Sequence, residues 1–306
     1  MSFSQTVKRE ILSHTPQSAC CTKAAAYGLA CFGKYFDAKG LIIHTEQSAV
    51  AQYAKKIFAA LDIAGKVYAT GKESSRIYEF AIKDTQEIDK LFALFSRAKT
   101  DISININSAN FTCEHCVSAF LASAFLCVGT ITNPEREYNL EFVTNKHRLS
   151  QDLCALLKGH DFLPGSTVRK GSNIIYFKAS EQIEDLLTFI GASGAALEIM
   201  NLEVYKDFRN KANRITNCET ANIDKMVAAN SQTLTAIETL RKYGKLETLP
   251  ATLREAAQKR LEFPDISLKE LAACFEPPLS KSGLSHRLRK LEEMARDCLA
   301  KNVPIQ

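Results

Sequence analysis

The sequence predicts an α+β protein in which a duplicated lobe precedes an all-helical domain. Three observations carry this prediction. The element order αβαββα is written twice before residue 200. Strand-type alternation stops after Lys178, and the segment from Ile223 onward shows helical periodicity without a strand pattern. At 306 residues the chain is long enough for two or three domains.

The first copy begins with a helix around Lys23–Phe36, rich in Ala, Leu, Cys and Phe. A strand at Leu41–Thr45 and a helix at Ser48–Leu61 follow. Strands at Lys66–Thr70 and Arg76–Ile82 come next, joined by the turn-like Gly71-Lys72-Glu73-Ser74-Ser75. A helix at Gln86–Ala98 closes the lobe, with Ile88, Leu91, Phe92 and Phe95 at helical spacing. The second copy begins with a helix at Cys113–Val128. Its strand at Tyr138–Val143 sets Tyr138, Leu140 and Phe142 against Asn139 and Glu141. A helix at Arg148–Leu157, a strand at Thr167–Arg169, a hairpin turn at Lys170-Gly171-Ser172-Asn173 and a strand at Ile174–Lys178 follow. The closing helix at Glu181–Ile190 takes Ser180 as its expected N-cap. Locally, Arg76-Ile77-Tyr78-Glu79-Phe80 echoes Ile174-Ile175-Tyr176-Phe177, the sign of a pseudo-symmetric pair of lobes. The polar face of such a sheet could lie against a duplex.

These elements divide the chain into lobes at 1–110 and 111–205, a basic, Asn-rich linker at 206–222, and a helical domain at 223–306. In the last, helices are expected at about Asp224–Tyr243 and Ala251–Phe263, with Gly244 capping the first and Pro250 and Pro264 bracketing the second. Ser267-Leu268-Lys269-Glu270 is a capping box opening a short helix to Phe275. Pro277 and Pro278 must break it, since neither can donate a helical hydrogen bond. A longer helix runs from near Ser282 to about Leu299, with Leu284, Leu288, Leu291, Ala295 and Leu299 on one side. The opposite side shows Lys281, Ser282, Ser285, His286, Arg289 and Lys290, with Arg287 at the flank. These are donors suited to phosphate oxygens and base edges. A short helix, a tight break and a longer basic helix is the layout of a helix-turn-helix. The helix start at Ser282-Gly283 would also offer free N–H groups to a phosphate. A helical hairpin with a solvated basic face is the alternative.

The remaining features narrow the function. A net charge of +5 permits nucleic-acid binding without arguing for it. No apolar run reaches the roughly 18 residues of a membrane span, and no apolar segment follows the charged N-terminus. A cytoplasmic, nucleoid-associated protein with ten free thiols is expected. Cys113-Glu114-His115-Cys116 has metal-ligand types, but no second CxxC exists. Cys20-Cys21 would complete a set only if the fold happened to bring it there, so these are read as buried thiols. The six His form no metal-binding pattern, and neither a P-loop nor GxSxG occurs. Gly191-Ala192-Ser193-Gly194 reads as a helix cap, and Glu184-Asp185 and Glu292-Glu293 as solvated charges. No catalytic set, metal or cofactor is expected.

The chain resembles the WhiA family of bacterial regulators over nearly its whole length. The opening Met1-Ser2-Phe3-Ser4 with Val7-Lys8, Cys20-Cys21-Thr22-Lys23-Ala24, and the segment from Ala119 to Leu126 followed by Gly129 and Asn133-Pro134 are similar to that family. The most specific segments are Asn213-Arg214, Asn217-Cys218-Glu219, Ala221-Asn222, and the run from Ser267-Leu268-Lys269-Glu270-Leu271 through Pro277-Pro278 to Ser280-Lys281-Ser282-Gly283 and His286-Arg287-Leu288. The resemblance implies lobes similar to the LAGLIDADG homing endonucleases, whose paired interface helices end in metal-binding acidic residues. Here those positions hold Gly33 and Val128, so the implied scaffold has no cleavage chemistry. It also implies a role in sporulation or in cell division and chromosome segregation. The resulting expectation is a non-enzymatic, sequence-specific transcription regulator that binds promoter DNA, with a second regulator or RNA polymerase as further partners and Asn213, Arg214 and Asn217 as a hinge or second DNA contact. A protein-interaction scaffold with a weak DNA anchor is the alternative, and an active endonuclease the least favoured.

Overall fold

The computed structural model describes residues 2–71, 76–101 and 103–301, the last without its side chain. Met1 and most of the expected turn at residues 71–75 lie outside the described residues. The chain forms two compact units, residues 1–206 and 207–306.

The first unit opens with helix α1 (Phe3–Ser13), capped by a Ser2–Gln5 box that the sequence reading missed. The first lobe then runs α2 (Ala19–Phe32), β1 (Tyr35–Asp37), β2 (Gly40–Thr45), α3 (Ser48–Ala59), β3 (Lys66–Thr70), β4 (Ile77–Ile82) and α4 (Thr85–Leu94). The second runs α5 (Cys116–Val128), β5 (Gly129–Ile131), β6 (Leu140–Thr144), α6 (His147–Lys158), β7 (Gly165–Arg169), β8 (Ser172–Phe177) and α7 (Ser180–Phe189). Both sheets are antiparallel and share one topology, β1-β2-β4-β3 and β5-β6-β8-β7. The duplication is therefore structural as well as sequential. Lys170 and Gly171 both take positive φ, 50° and 77°, in a two-residue turn that sets Arg169 opposite Ser172.

Helices α2 and α5 are apolar on nearly every side because they fill the centre of the unit and pack on each other. Gly28 permits their close approach: a Cβ there would stand 2.5 Å from the Phe120 carbonyl oxygen and 3.0 Å from Ser123 Cβ. Around this crossing, Tyr27 packs on Phe95, Phe111 and Phe120. Its hydroxyl donates to Asn105 O (2.9 Å) and accepts from Asn107 N (2.8 Å), pinning the segment between the lobes.

Several elements differ from expectation. β1 occupies residues assigned to the end of the first helix, because Gly33 terminates α2 in extended geometry. β5 likewise follows α5 without a gap. Ala179, not Ser180, is the N-cap of α7, and the Ser180 hydroxyl donates instead to Glu203 (2.9 Å). Residues 206–222, expected as a linker, are helical and lie within α8, which runs over Ser193–Lys242; the boundary between the two compact units falls after Lys206. Its first amides, Gly194 N and Ala195 N, donate to the Glu10 carboxylate. Gly191, at φ +84°, caps α7 as expected, with Ala192 N donating to Leu187 O (2.7 Å). Glu184 is not solvated: it is 6% exposed, and burial raises its carboxyl pKa, with Glu203, Asp185 and Glu181 adding to the shift.

The second unit packs the C-terminal part of α8 with α9 (Ala251–Glu262), α10 (Leu268–Ala273) and α11 (Lys281–Lys301). Its core joins Ile237, Leu240, Ala257, Leu271, Phe275, Leu284, Leu288 and Leu291. Gly244 takes φ +63° and closes α8 as expected, with Lys245 N donating to Leu240 O (2.9 Å). The Ser267–Glu270 box opens α10 with both reciprocal bonds formed. Buried Arg260 fixes the approach to α10 by donating to the carbonyls of Phe263, Pro264 and Ile266. Asn230 of α8 reaches the Ile266 carbonyl as well (3.3 Å). Among the described residues no helix is long and apolar enough to cross a membrane.

Candidate nucleic-acid interface

The face of α11 is positioned by its apolar stripe. Leu284, Leu288, Leu291 and Ala295 are buried against α9 and α10, which leaves the opposite side of the helix outward. Lys281, Ser282, His286, Arg289 and Lys290 are exposed, and Ser285 is half-buried. Ser282, Ser285, His286 and Arg289 share one side by their spacing of three and four. No carboxylate occurs between Glu276 and Glu292, so the first turns of α11 are purely cationic.

A cavity of about 540 Å³ adjoins this face, lined in part by Lys225, Lys269, Lys281, Ser285, Arg289 and Glu292. Arg260 also lines it but is committed to backbone carbonyls; Lys225, Lys269, Lys281 and Arg289 enter no ion pair among the described residues. Glu292 is held by Thr233 Oγ1 (2.7 Å) and Gln232 Nε2 (3.4 Å), so it is half-buried and bonded rather than solvated. That leaves its charge turned to α8 and the four cations uncommitted.

Two expected contacts are otherwise engaged. Arg287 turns back onto α9 and α10: its guanidinium lies 3.9 Å from Glu255, 3.5 Å from the Thr252 carbonyl and 5.9 Å from the Phe275 ring centroid. Gly283 N donates to Ser280 Oγ (3.1 Å), so Ser280 caps α11 and the helix start is less open to a phosphate than expected. Asn213, Arg214 and Asn217 lie exposed in the middle of α8. The sequence reading missed Lys225 and Lys269, which stand far from α11 in the chain and enter the cavity only through tertiary packing.

The sheet faces are less suited to an anion. Each has a carboxylate near its middle. Glu79 is bonded to His44 (2.9 Å) and Lys83 (3.4 Å), while Glu141 pairs with Arg169 (3.4 Å). Burial opposes ionisation of Glu79, but His44 and Lys83 together hold its pKa below the usual carboxylate value.

The C-terminal ends of α2 and α5 are the place where an endonuclease of the resembling fold would hold a divalent cation. Neither Gly33 nor Val128 offers a ligand. An ammonium stands at each end instead. Lys146 Nζ donates to Cys31 O (2.9 Å) and Gly33 O (2.8 Å), and Lys8 Nζ donates to Leu126 O (3.2 Å). Burial lowers both lysine pKa values. Two cations on the last carbonyls of the paired helices suit the negative ends of their dipoles and repel a metal ion. The residues present do not fit a divalent cation at this place.

Elsewhere the reading of the cysteines needs correction. Cys20, Cys21, Cys113 and Cys116, taken to be unrelated buried thiols, stand together with their sulfurs all within 4.8 Å of one another.

Comparison with known proteins places these observations in a family. Residues 117–209 match the model of the WhiA LAGLIDADG-like domain, and residues 212–295 that of the WhiA C-terminal HTH domain. A Clostridium tetani protein named "Probable cell division protein WhiA" is 35% identical over 97% of this chain and 98% of its own length. A Clostridium botulinum protein of the same name is 36% identical over 96% of this chain and 98% of its own. The crystal structure of full-length DUF199/WhiA from Thermatoga maritima is 20% identical, with a TM-score of 0.58 over 97% of this chain and 99% of its own.

Proposed function

The chain belongs to the WhiA family, and on that premise we propose that it is a sequence-specific DNA-binding transcription regulator that acts in cell division or sporulation, in the cytoplasm at the nucleoid. The observation that carries this reading is the outward cationic face at the start of α11, where Lys281 and Arg289, with Lys225 and Lys269 beside them, enter no ion pair among the described residues. On duplex DNA, α11 is the recognition helix. His286 and Arg289 reach base edges, with Ser282 and Ser285 beside them, and Lys281 and Lys290 meet phosphates. Lys225 and Lys269 add phosphate contacts from α8 and α10. Arg287 holds α11 on its own domain. Asn213, Arg214 and Asn217 offer a second contact on α8. The LAGLIDADG-like lobes do not cleave DNA, because the ends of α2 and α5 carry ammonium groups where cleavage needs metal-bound carboxylates.

The test is fluorescence anisotropy of the full chain on promoter and shuffled duplexes, at two salt concentrations with Mg²⁺, and with the DNA recovered on a gel. Tighter binding to promoter DNA, weakened by salt and by Lys281→Glu with Arg289→Glu, supports the reading. Cut DNA, or binding indifferent to these substitutions, overturns it. A second reading, in which the double lobe is a platform for another regulator or for RNA polymerase, draws on the carboxylate-centred sheet faces. It predicts that the charge reversals leave regulation intact.

A further inference from the structure

The fold brings two cysteine pairs, 92 residues or more apart in sequence, to one point. Cys20 and Cys21 lie in the first turn of α2. Cys113 and Cys116 straddle the start of α5, in a turn closed by Cys116 N donating to Cys113 O (3.1 Å). Cys113 Sγ lies 3.5 Å from each of Cys20, Cys21 and Cys116 Sγ. A disulfide brings its sulfurs to about 2.05 Å, well inside this spacing. Four thiolates around one zinc at about 2.3 Å would stand about 3.8 Å apart along each tetrahedral edge. The three separations from Cys113 Sγ are close to that edge, and all four sulfurs lie within 4.8 Å of one another.

We propose that Cys20, Cys21, Cys113 and Cys116 form a closed tetrathiolate zinc site that clips the first lobe to the second. Zinc displaces up to four protons to solvent and leaves a site of net charge −2. The electrostatics favour that charge, because the N-terminal ends of α2 and α5 both meet the cluster and present their positive dipole ends to it. The donor set is soft and its four places are filled by protein, which fits a structural zinc and leaves no open position for catalysis. Cys21 and Cys116 are buried while Cys113 is exposed, so one side of the site is open for metal entry. His115 is no ligand, since its ring is 78% exposed and turned to Glu114 (3.4 Å). The proposal does not depend on DNA binding.

The full chain, purified under reducing conditions, is analysed for metal by mass spectrometry and then reconstituted with Co²⁺. The expected result is about one zinc per chain and, with cobalt, the intense visible bands and thiolate charge-transfer absorption of tetrahedral sulfur coordination. Cys113→Ser should lose at least tenfold in zinc content after competition with a chelator, whereas Cys218→Ser, which changes an exposed thiol elsewhere, keeps it. The cobalt spectrum is read on the unaltered chain, so misfolding of a variant cannot decide the outcome. No retained zinc, an octahedral cobalt spectrum, an iron-loaded protein, or intact mass showing disulfides among these cysteines would each overturn the proposal.

Discussion

Two arginines two residues apart on α11 should fail in opposite ways when truncated. Arg289 is exposed and makes no ion pair among the described residues, so Arg289→Ala should leave stability within about 0.5 kcal/mol of the unaltered chain. If Arg289 reads a base, the same change costs about 1–3 kcal/mol in binding, or about 5- to 150-fold in Kd. If it meets a phosphate, the salt slope falls by about one instead. Arg287 has the reverse profile. Its side chain is 24% exposed and touches Glu255, the Thr252 carbonyl and the Phe275 ring. A part-exposed ion pair contributes little, and a cation–π contact contributes about 0.5–1 kcal/mol. With the packing of the stem, Arg287→Ala should cost about 1 kcal/mol of folding stability, a drop of about 4–8 °C in Tm for a domain near this size. Its Kd on DNA should change less than threefold. Urea unfolding and anisotropy on the same two variants make the comparison. If Arg287→Ala weakens DNA binding as much as Arg289→Ala while its stability is unchanged, the orientation assigned to α11 is wrong.

Other expectations concern the lobes and the caps. Gly28→Ala gains about 1 kcal/mol of helix propensity but places a Cβ 2.5 Å from a backbone oxygen that cannot rotate away. Overpacking of about 1–3 kcal/mol should win, and chemical denaturation should show a net loss. Glu270 is held below its usual pKa by the Ser267 hydroxyl and amide, so its contribution is present above the unfolded value and fades as pH falls through the folded one. The stability gap between the unaltered chain and Glu270→Gln should therefore close on acidification below pH 4.5, read by circular dichroism. Ser267→Ala should cost about 1 kcal/mol by the same assay at neutral pH. Lys146→Ala leaves two helix-end carbonyls without their donor and should destabilise by about 1–3 kcal/mol, again without creating Mg²⁺-dependent cleavage.

Much of this architecture is legible in the residues because local signals agree with the tertiary outcome. The period of Ile88, Leu91 and Phe92 marks α4, Lys170-Gly171 marks a hairpin, and Ser267, Glu270 and the Pro pair bound α10. What escaped detection has identifiable causes. β1 and β5 are three residues each and follow apolar helices within two residues or directly, so the hydrophobic run conceals the change of geometry. The continuity of α8 is hidden by its polar, Asn-rich middle, although the absence of Gly and Pro between Gly194 and Gly244 was an available signal. On the candidate interface, the exposed cations of α11 were readable from helical spacing. The inward turn of Arg287 depends on α9 and α10 and was not. The cysteine cluster was readable only through the duplication: each pair marks the start of its lobe's central helix, and pairing those helices brings the two starts together.

The lysines at the ends of α2 and α5 stand against building a metal-dependent site there. At position 33 a side chain has no room, because a Cβ would stand 2.9 Å from the Ile42 carbonyl oxygen and 3.0 Å from that of Leu29. An aspartate forced in there would meet the Lys146 ammonium, already 2.8 Å from that residue's own carbonyl, and would be neutralised as an ion pair before it could hold Mg²⁺. Placing a carboxylate-held metal ion there would require changing acid, neighbour and cation together.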